Sequence, residues 1–406
     1  MGLSGGSDSL ALMLVCHAWA KVRGRKLLAL TVDHGLQAAS SEWAAFCRAR
    51  AMARGIEHRT LVWTPPPLSS GLPAAARAAR HALLAEASRA AGAHVLLMGH
   101  TADDLAESAA MRAAGSTVPD ARLWSPSPAW PQGRDLFLLR PLLGERRQAL
   151  RDWLVQAGER WIEDPANADL RFARARARAN VGELPAPDQG DEAAGPAARA
   201  ALPAAGPLEA AGGLRIPATA GERVLARALL CAAGGTRPPR RDRLEMAMAR
   251  LAAGESIVLA GARAWREGDQ ILVCREPGEL RRSKASDLVL CRGGTAVWDG
   301  RFELEPPMDW SGAPLRVRAL AGSTSRLPDG EQMALKSLPA AARGALPLVT
   351  DDATLWTCPI LAVSPFVGVR ALARNRLEAA LGHLVHERDV ANAAGLPISR
   401  VNRPSV

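Results

Sequence analysis

The chain has 406 residues and a formal net charge of +10, and this length predicts two or three domains with sizeable cores. With 48% apolar and 23% charged residues it has a globular composition, and no apolar run reaches the roughly 18 residues that a membrane-spanning helix needs. The basic residues are 47 arginines and only four lysines. GC-rich codon usage accounts for most of this skew, but the charge still favours a polyanionic partner such as RNA or DNA.

The cysteines and the first apolar stretch indicate in which cellular compartment the protein works. The six cysteines are scattered, with no two closer than 17 residues, so they form neither a disulfide framework nor a CxxC site. The stretch Leu10–Ala20 contains His17 and is followed by no cleavage-site pattern, which excludes a signal peptide. We therefore expect a protein of the reducing cytoplasm.

Short apolar runs alternate with longer helical patterns in the first 180 residues. Strands are predicted over Lys26–Asp33 and His94–His100. Helices are predicted over Ser9–Ala20, Ser41–Arg54, Pro73–Ala91 and Ala102–Ala113. This alternation indicates an α/β domain with a parallel sheet, whose ligands bind beyond the carboxyl ends of the strands.

The rest of the chain changes character several times. Gly115–Arg134 is rich in Pro, Ser and Trp and predicts an ordered loop, and Arg140–Gly158 predicts a helix. Residues 183–213 are low in complexity and hold five prolines, which is typical of a flexible linker. Residues 214–265 look helical, and short strands are predicted after them, over Gln270–Cys274, Asp287–Cys291, Thr295–Leu304 and Pro314–Leu320.

These patterns predict three regions. Residues 1–181 form the α/β domain, residues 182–268 a linker with a helical region, and residues 269–406 a small α+β domain.

A serine- and glycine-rich turn, Ser4-Gly5-Gly6-Ser7-Asp8-Ser9, precedes the first helix. The glycines allow a tight turn, and the N–H groups of the first helical turn face an anion that the helix dipole stabilises. The lysine of a Walker A loop is absent, and the GxSxG pattern of a hydrolase fails at its last position. The turn is a candidate phosphate-binding loop, although such turns are also ordinary helix caps.

Polar residues follow both predicted strands. Asp104 and Glu107 are three residues apart and share one helix face, and His100 stands at the strand end before them. Carboxylates at a helix start are also ordinary capping residues, and the histidine can be structural. Asp33 and His34 can reach a nucleotide base or ribose, or simply form a turn.

Arginines alternate, or fall four apart, in residues 171–178. Arg174 and Arg178 would align on one helix face. The segment is either a solvated basic face or a clamp for a phosphate or carboxylate group.

Together and in this order, the segments resemble the PP-loop ATP pyrophosphatases and, within that superfamily, the bacterial tRNA(Ile)-lysidine synthetases. The match spans most of residues 1–180, and residues 346–349 resemble the C-terminal tRNA-binding region more loosely. The segments that carry it are residues 4–12, 30–36, 76–81, 92–108, 138–143 and 161–178.

The resemblance implies a reaction in two steps. ATP adenylates the 2-oxo group of the wobble cytidine in an isoleucine tRNA with a CAU anticodon, and the ε-amine of free L-lysine then displaces AMP to leave lysidine. The product pairs with A instead of G, so decoding and aminoacylation change from methionine to isoleucine. The implied ligands are ATP, Mg²⁺, tRNA(Ile) and lysine, with no membrane and with a homodimer as a further expectation.

The resemblance also assigns the ATP-binding residues. Ser4–Ser9 would hold the pyrophosphate end of ATP, with Asp8 positioned for Mg²⁺ and Arg77 as a second phosphate contact. Asp33 and His34 would lie near the adenosine.

The lysine pocket is assigned in the same way. Asp104 and Glu107 would bind the lysine ammonium, and either could act as the base. Arg174 or Arg178 would bind the lysine carboxylate in a bidentate manner, and His100 belongs to this catalytic or lysine-binding group.

Two features depart from the family pattern. A full strand precedes the loop in the superfamily, whereas only Met1–Leu3 precede it here, so we expect the first strand to be missing. Gly99 stands where the family has the first residue of a His-His pair.

Three alternatives remain open at this stage. A tRNA thiolase of the same superfamily would need suitably placed cysteines, which the scattered six do not provide. An amidotransferase-type AMP-forming ligase leaves residues 161–178 unexplained. An inactive RNA-binding relative would show no tRNA-dependent ATP–pyrophosphate exchange.

Overall fold

The computed structural model describes residues 1–65, 71–116, 121–165, 176–177, 202–282, 287–384 and 386–393. The chain divides into two compact units. The first comprises Met1–Ala197 together with Val385–Val406, and the second comprises Ala198–Leu384. Within the described residues, no helix combines the length and the apolar character that crossing a membrane requires.

Helices and strands alternate in the first unit. Its helices are α1 (Ser7–Val22), α2 (Ser40–Met52), α3 (Leu72–Ala90), α4 (Ala102–Ala113) and α5 (Arg147–Gln156). Its strands are β1 (Leu28–Asp33), β2 (Glu57–Val62), β3 (Val95–Leu97), β4 (Trp124–Pro126) and β5 (Phe137–Leu139). The predicted α/β class is confirmed for this unit, and the predicted bounds of α4 are those observed.

Most of these strands pair in parallel with a neighbour. β1 pairs with β2 and β3 pairs with β5, both in parallel, while β4 runs antiparallel to β5. Met1–Leu3 lie between β1 and β3, because Leu3 N–H donates to the carbonyl of Leu30 at 2.8 Å and Gly2 N–H donates to that of Leu97 at 3.0 Å. In place of the full strand of the family pattern, these residues form a single parallel bridge, between Gly2 and Leu30. Three residues occupy its position and join the phosphate loop to the sheet.

Apolar packing places α5 beside α1. Leu10 and Leu12 of α1 are fully buried and form one cluster with Leu150 and Leu154 of α5. A fully buried leucine contributes about 1.5–3 kcal/mol of transfer free energy. This contact brings the first turn of α5 next to the loop that precedes α1.

Several elements of this unit were not predicted. β2, β4 and β5 were missed, because β2 alternates exposed and partly buried residues and the other two have only three residues each. The helix expected from Arg140 begins only at Arg147, beyond Pro141.

The second unit is a mixture of short helices and antiparallel sheets. Its helices are α6 (Pro207–Ala210), α7 (Glu222–Ala232), α8 (Arg241–Ala252), α9 (Pro277–Arg282), α10 (Asp329–Lys336), α11 (Ala340–Arg343) and α12 (Ala373–Leu381). A further helix, α13 (Glu387–Ala393), belongs to the first unit.

Eleven strands of the second unit form three sheets among its described residues. They are β6 (Leu214–Pro217), β7 (Ile257–Leu259), β8 (Ala262–Glu267), β9 (Gln270–Arg275), β10 (Leu288–Leu290), β11 (Ala296–Trp298), β12 (Phe302–Glu305), β13 (Leu315–Ala319), β14 (Pro347–Thr350), β15 (Trp356–Thr357) and β16 (Gly368–Ala371). The strand orders are β6-β9-β8-β7, β10-β13-β14-β15 and β11-β12-β16.

The four strand segments predicted after residue 269 are found, and Thr295–Leu304 proves to be the hairpin of β11 and β12. The prediction of helix throughout residues 214–265 is wrong, because β6, β7 and β8 lie there beside α7 and α8. The boundary expected between residues 268 and 269 falls in the turn between β8 and β9. These two strands are hydrogen-bonded neighbours of one sheet, so no structural boundary lies between them.

A buried ionic cluster connects β9 to the β11–β12 turn in the second unit. Arg301 is 2% exposed, and its Nε donates to Asp299 at 2.7 Å. Arg275 Nε donates to the same carboxylate at 3.1 Å. Burial lowers the pKa of Arg301, and the carboxylate of Asp299 opposes this effect. One carboxylate therefore compensates two buried guanidinium groups.

We expect Asp299→Asn to lower the free energy of unfolding of the second unit by about 3 kcal/mol, because both guanidinium groups lose their counterion in the interior. Asparagine keeps the size of the side chain and tolerates the left-handed backbone at this position, where φ is +51°. Denaturant unfolding measures the effect, with the exposed Asp309→Asn as the matched control. Equal midpoints for the two variants would contradict this expectation.

Candidate active site

The loop that precedes α1 is tightly folded. The N–H of Ser4 donates to the hydroxyl of Ser9 at 3.1 Å, and that hydroxyl donates to the carbonyl of Gly6 at 3.0 Å. Gly5 has a φ of +83°, and a Cβ at this position would overlap the side chain of Ile162. No described side chain caps the first turn of α1, which leaves its N–H groups to an anion.

Gly99 packs directly against this loop. A Cβ at Gly99 would lie 3.0 Å from the carbonyl oxygen of Asp8 and 3.1 Å from the nitrogen of Ser9. A larger residue would push against backbone that has little room to move, which explains why glycine stands here. Through Gly99, the phosphate loop contacts the segment that leads into α4.

The start of α4 is a capping box. Asp104 accepts hydrogen bonds from the N–H of Thr101 at 2.8 Å and from its hydroxyl at 3.1 Å. The capping interpretation of Asp104 is therefore correct. Glu107 is only 2% exposed and takes no part in the cap. A carboxylate buried to this degree needs a charged partner.

Arg147, the first residue of α5, is that partner. Its Nη1 donates to Glu107 at 3.0 Å, its Nε donates to Asp8 at 2.9 Å, and its Nη2 lies 3.5 Å from Asp104. Its backbone N–H donates to Asp103 at 2.8 Å. One guanidinium thereby joins the phosphate loop to the acidic face of α4.

The guanidinium of Arg147 faces three carboxylates, those of Asp8, Asp104 and Glu107. Burial by itself lowers the pKa of Arg147, but Asp8, Asp104 and Glu107 outweigh burial and raise the pKa above its ordinary value. Carboxylates attract cations of other kinds as well, such as a metal ion or an ammonium group.

The geometry of Asp8 fits a magnesium ion bound together with phosphates. Its Oδ1 accepts the hydroxyl of Ser7 at 3.0 Å and its Oδ2 accepts Arg147, and each oxygen has a second lone pair. Mg²⁺ is usually held by one or two carboxylates plus substrate phosphates, so one carboxylate beside a phosphate loop is sufficient. In the described part of the chain, no three His, Cys, Asp or Glu side chains form a metal site of their own.

Asp33 and His34 lie at the carboxyl end of β1, as predicted. Asp33 accepts the N–H of Gly35 at 2.9 Å and so forms a turn. The ring of His34 stands edge-on to Trp63, with centroids 5.8 Å apart. Burial lowers the pKa of His34, and Arg80 lowers it further against the opposing effect of Asp33. Contact of this pair with a nucleotide stays a prediction.

Basic groups gather near the ends of β3 and β5. Burial lowers the pKa of His81 to about 3, and Arg80, Arg77, His100 and Arg140 lower it further. This group therefore presents positive charge, which suits a phosphate chain. The phosphate contact of Arg77, an exposed residue of α3, stays a prediction.

Two arginines of the site were not predicted. Arg140 lies within the family-like segment 138–143 and Arg147 opens α5, but nothing near them in sequence shows which residues they bind. The resemblance at 138–143 was the one signal that pointed to Arg140. Arg174 and Arg178, expected to bind the lysine carboxylate, lie outside the described residues.

The α/β unit with its glycine-rich loop and helix start defines a PP-loop nucleotide-binding domain, and the PP-loop domain family matches residues 1–184. The tRNA(Ile)-lysidine synthase of Caulobacter vibrioides is 44% identical over 402 residues, which cover 95% of this chain and 94% of the relative. That of Ruegeria pomeroyi is 35% identical over 385 residues, with coverages of 89% and 88%. That of Brucella ovis is 37% identical over 329 residues, with coverages of 74% and 72%. The chain belongs to the tRNA(Ile)-lysidine synthase family.

We expect Arg147→Met to lower the free energy of unfolding by about 3 kcal/mol, because three neighbouring carboxylates each lose an ion pair with this guanidinium. Arg151→Met, one turn further along α5, is the matched control. It removes a pair with Glu163, at 3.0 Å, in which both side chains are partly exposed, and should cost less than about 1 kcal/mol. Denaturant unfolding compares the two variants, and an equal loss in both would contradict a central role for Arg147.

Proposed function

We propose that this enzyme ligates free L-lysine to the 2-position of the wobble cytidine of tRNA(Ile) with a CAU anticodon. ATP drives the reaction, lysidine is formed, and AMP and pyrophosphate are released. The observation that carries the proposal is the guanidinium of Arg147, which holds an anion-binding loop and the buried carboxylates of Asp104 and Glu107 in one cluster. A reaction between a nucleotide and an amine needs an anion site and an ammonium site side by side.

In the first step, the 2-oxo group of the cytidine attacks the α-phosphorus of ATP and pyrophosphate leaves. The N–H groups and hydroxyls of Ser4–Ser9 hold the pyrophosphate end, and Arg77 adds a second contact. Mg²⁺, when bound at Asp8, neutralises the charge that develops on the leaving group. Asp33 and His34 contact the adenosine, and the lowered pKa of His34 favours a neutral ring beside the neutral base.

In the second step, the ε-amine of lysine attacks C2 of the activated cytidine and AMP leaves. Asp104 and Glu107 bind the ammonium group, and one of them accepts its proton before the attack. Burial strengthens this attraction because water screens it little. Arg174 or Arg178 binds the lysine carboxylate through two parallel hydrogen bonds.

The remaining assignments follow from this chemistry. ATP and lysine bind to residues 1–181, and residues 269–406 contribute to tRNA binding, which the net charge of +10 favours. The lysidine product pairs with A, so the tRNA changes from methionine to isoleucine in both decoding and aminoacylation. We place the enzyme in the cytoplasm, and a homodimer stays a prediction.

The alternatives have less support. Burial raises the pKa of Cys16, in α1, and of Cys47, in α2, to about 11 each, so both remain protonated thiols and poor nucleophiles for sulfur transfer. The inactive relative was suggested by a missing first strand. Met1–Leu3 nevertheless keep the loop hydrogen-bonded to β1 and β3, which supports an active enzyme.

The direct test incubates the protein with ATP, Mg²⁺, lysine and a tRNA(Ile) transcript that carries the CAU anticodon. Mass spectrometry of the nucleosides should detect lysidine, and omission of lysine or replacement of the wobble cytidine by uridine should abolish it. A transcript that stays unmodified under all conditions would overturn the proposal.

We expect Asp104→Asn combined with Glu107→Gln to abolish lysidine formation while tRNA affinity stays within about threefold. The amides keep the size of the carboxylates and their capping oxygen, but they no longer attract an ammonium group. Lysidine assays and filter binding measure the two effects. The exposed Glu57→Gln on β2 serves as the control variant. Parallel loss of tRNA affinity would refute the assignment of these carboxylates to lysine.

We also expect tRNA affinity to fall steeply between about 50 and 200 mM salt, because every phosphate contact releases counterions from the RNA. Filter binding at a series of salt concentrations gives the slope of log affinity against log salt. A flat line would show that the positive charge of this protein does not contact the tRNA backbone.

A further inference from the structure

One family-like segment, residues 138–143, continues from β5 beyond the edge of the sheet. It contains Arg140, which follows β5 and is 8% exposed. Because β5 pairs in parallel with β3, Arg140 and His100 emerge from neighbouring strands at the same edge of the sheet. A guanidinium buried to this degree is costly unless its donors are bound.

Hydrogen bonds hold the side chain of Arg140 in one orientation. Its Nη1 donates to the carbonyl of Arg122 at 2.6 Å and to the hydroxyl of Ser125 at 2.7 Å. Its Nε donates to Nδ1 of His100 at 3.1 Å. The backbone N–H of Arg140 donates to the carbonyl of Leu123 at 2.9 Å. The chain around β4 therefore fixes the guanidinium, and one donor is directed at the His100 ring.

This bond determines where the ring proton of His100 lies. A guanidinium has donors and no acceptor, so Nδ1 must accept with its lone pair. A neutral imidazole carries one N–H, which must then be on Nε2. Arg140 thus selects one of two tautomers that an isolated histidine would exchange.

The surroundings of His100 indicate what its Nε2–H binds. Gly99, the preceding residue, touches the backbone of the phosphate loop. Arg77 and Arg80 are near enough to His81 to lower its pKa together with His100. A hydrogen-bond donor among positive charges suits a phosphoryl oxygen and repels an ammonium group.

We propose that Arg140 is a positioning residue that keeps His100 as the Nε2–H tautomer, and that His100 donates this hydrogen bond to a phosphoryl oxygen of ATP during adenylation of the cytidine. The inference rests on the proposed function. It assigns His100 to the nucleotide side of the site, whereas the resemblance placed it in the catalytic or lysine-binding group. No covalent bond changes at either residue.

The tautomer is tested without any reaction. Nitrogen-15 NMR of the protein labelled at its eight histidines distinguishes a protonated from an unprotonated ring nitrogen, and the signal missing from His100→Gln identifies His100. We expect a protonated Nε2 and an unprotonated Nδ1 in the wild type, and loss of this preference in Arg140→Met. A protonated Nδ1 in the wild type would overturn the proposal, even if Arg140→Met fails to fold.

The role in adenylation is tested by a double-mutant cycle in tRNA-dependent ATP–pyrophosphate exchange. Arg140→Met should lower kcat by about 100-fold, the effect of losing one donor to developing charge. The lysine KM in lysidine formation should stay within about twofold. Glutamine at position 100 donates from a similar place and has no tautomers. Arg140→Met should therefore cost less than about threefold when added to His100→Gln.

Control variants distinguish a positioning role of Arg140 from a merely structural one. Arg140→Lys keeps a donor for Nδ1 and should recover part of the activity, whereas Arg59→Met, an exposed arginine on β2, should leave it unchanged. If Arg140→Met costs the same in both backgrounds, Arg140 is merely structural and the inference is overturned. A wild type that makes no lysidine would overturn the proposed function, while the NMR result would still decide the tautomer.

Discussion

The guanidinium of Arg147 is the interaction on which the site depends. It binds carboxylates on α1 and α4 and is carried by α5, so three helices that are separate in sequence meet at one charge. Its ion pairs with three carboxylates hold these helices together. An aliphatic residue at this position would form none of these ion pairs.

Backbone contacts set the position of the phosphate loop relative to this charge. Met1–Leu3 join the loop to β1 and β3, and Leu10 and Leu12 pack α1 against α5. Gly99 allows the segment before α4 to touch the loop directly. These contacts leave little freedom for the loop to move independently of α4, and this rigidity is what an enzyme that aligns a nucleotide with an amine requires.

Charge is divided within the first unit. The acidic cluster around Arg147 lies on α1, α4 and α5, whereas the basic residues Arg77, Arg80 and Arg140 gather near the ends of β3 and β5. The first region brings carboxylates together, and the second brings guanidinium groups together. Codon usage largely explains why the chain is rich in arginine. Its arginines nevertheless differ in role, because some are counterions of buried carboxylates and others lie where the strands of the sheet end.

The sequence by itself determined the features that depend on neighbouring residues. The phosphate loop and the bounds of α4 were predicted because glycine spacing and capping are local. Short strands such as β5 and β6 were missed, because a few residues carry no periodicity and their burial is set by distant partners. Only the tertiary structure showed that Arg140 binds His100, 40 residues away, and that Arg147 binds Asp8, 139 residues away. Spacing encodes contacts within a helix or turn, whereas the partner of a long-range charge is decided by how the helices and strands pack.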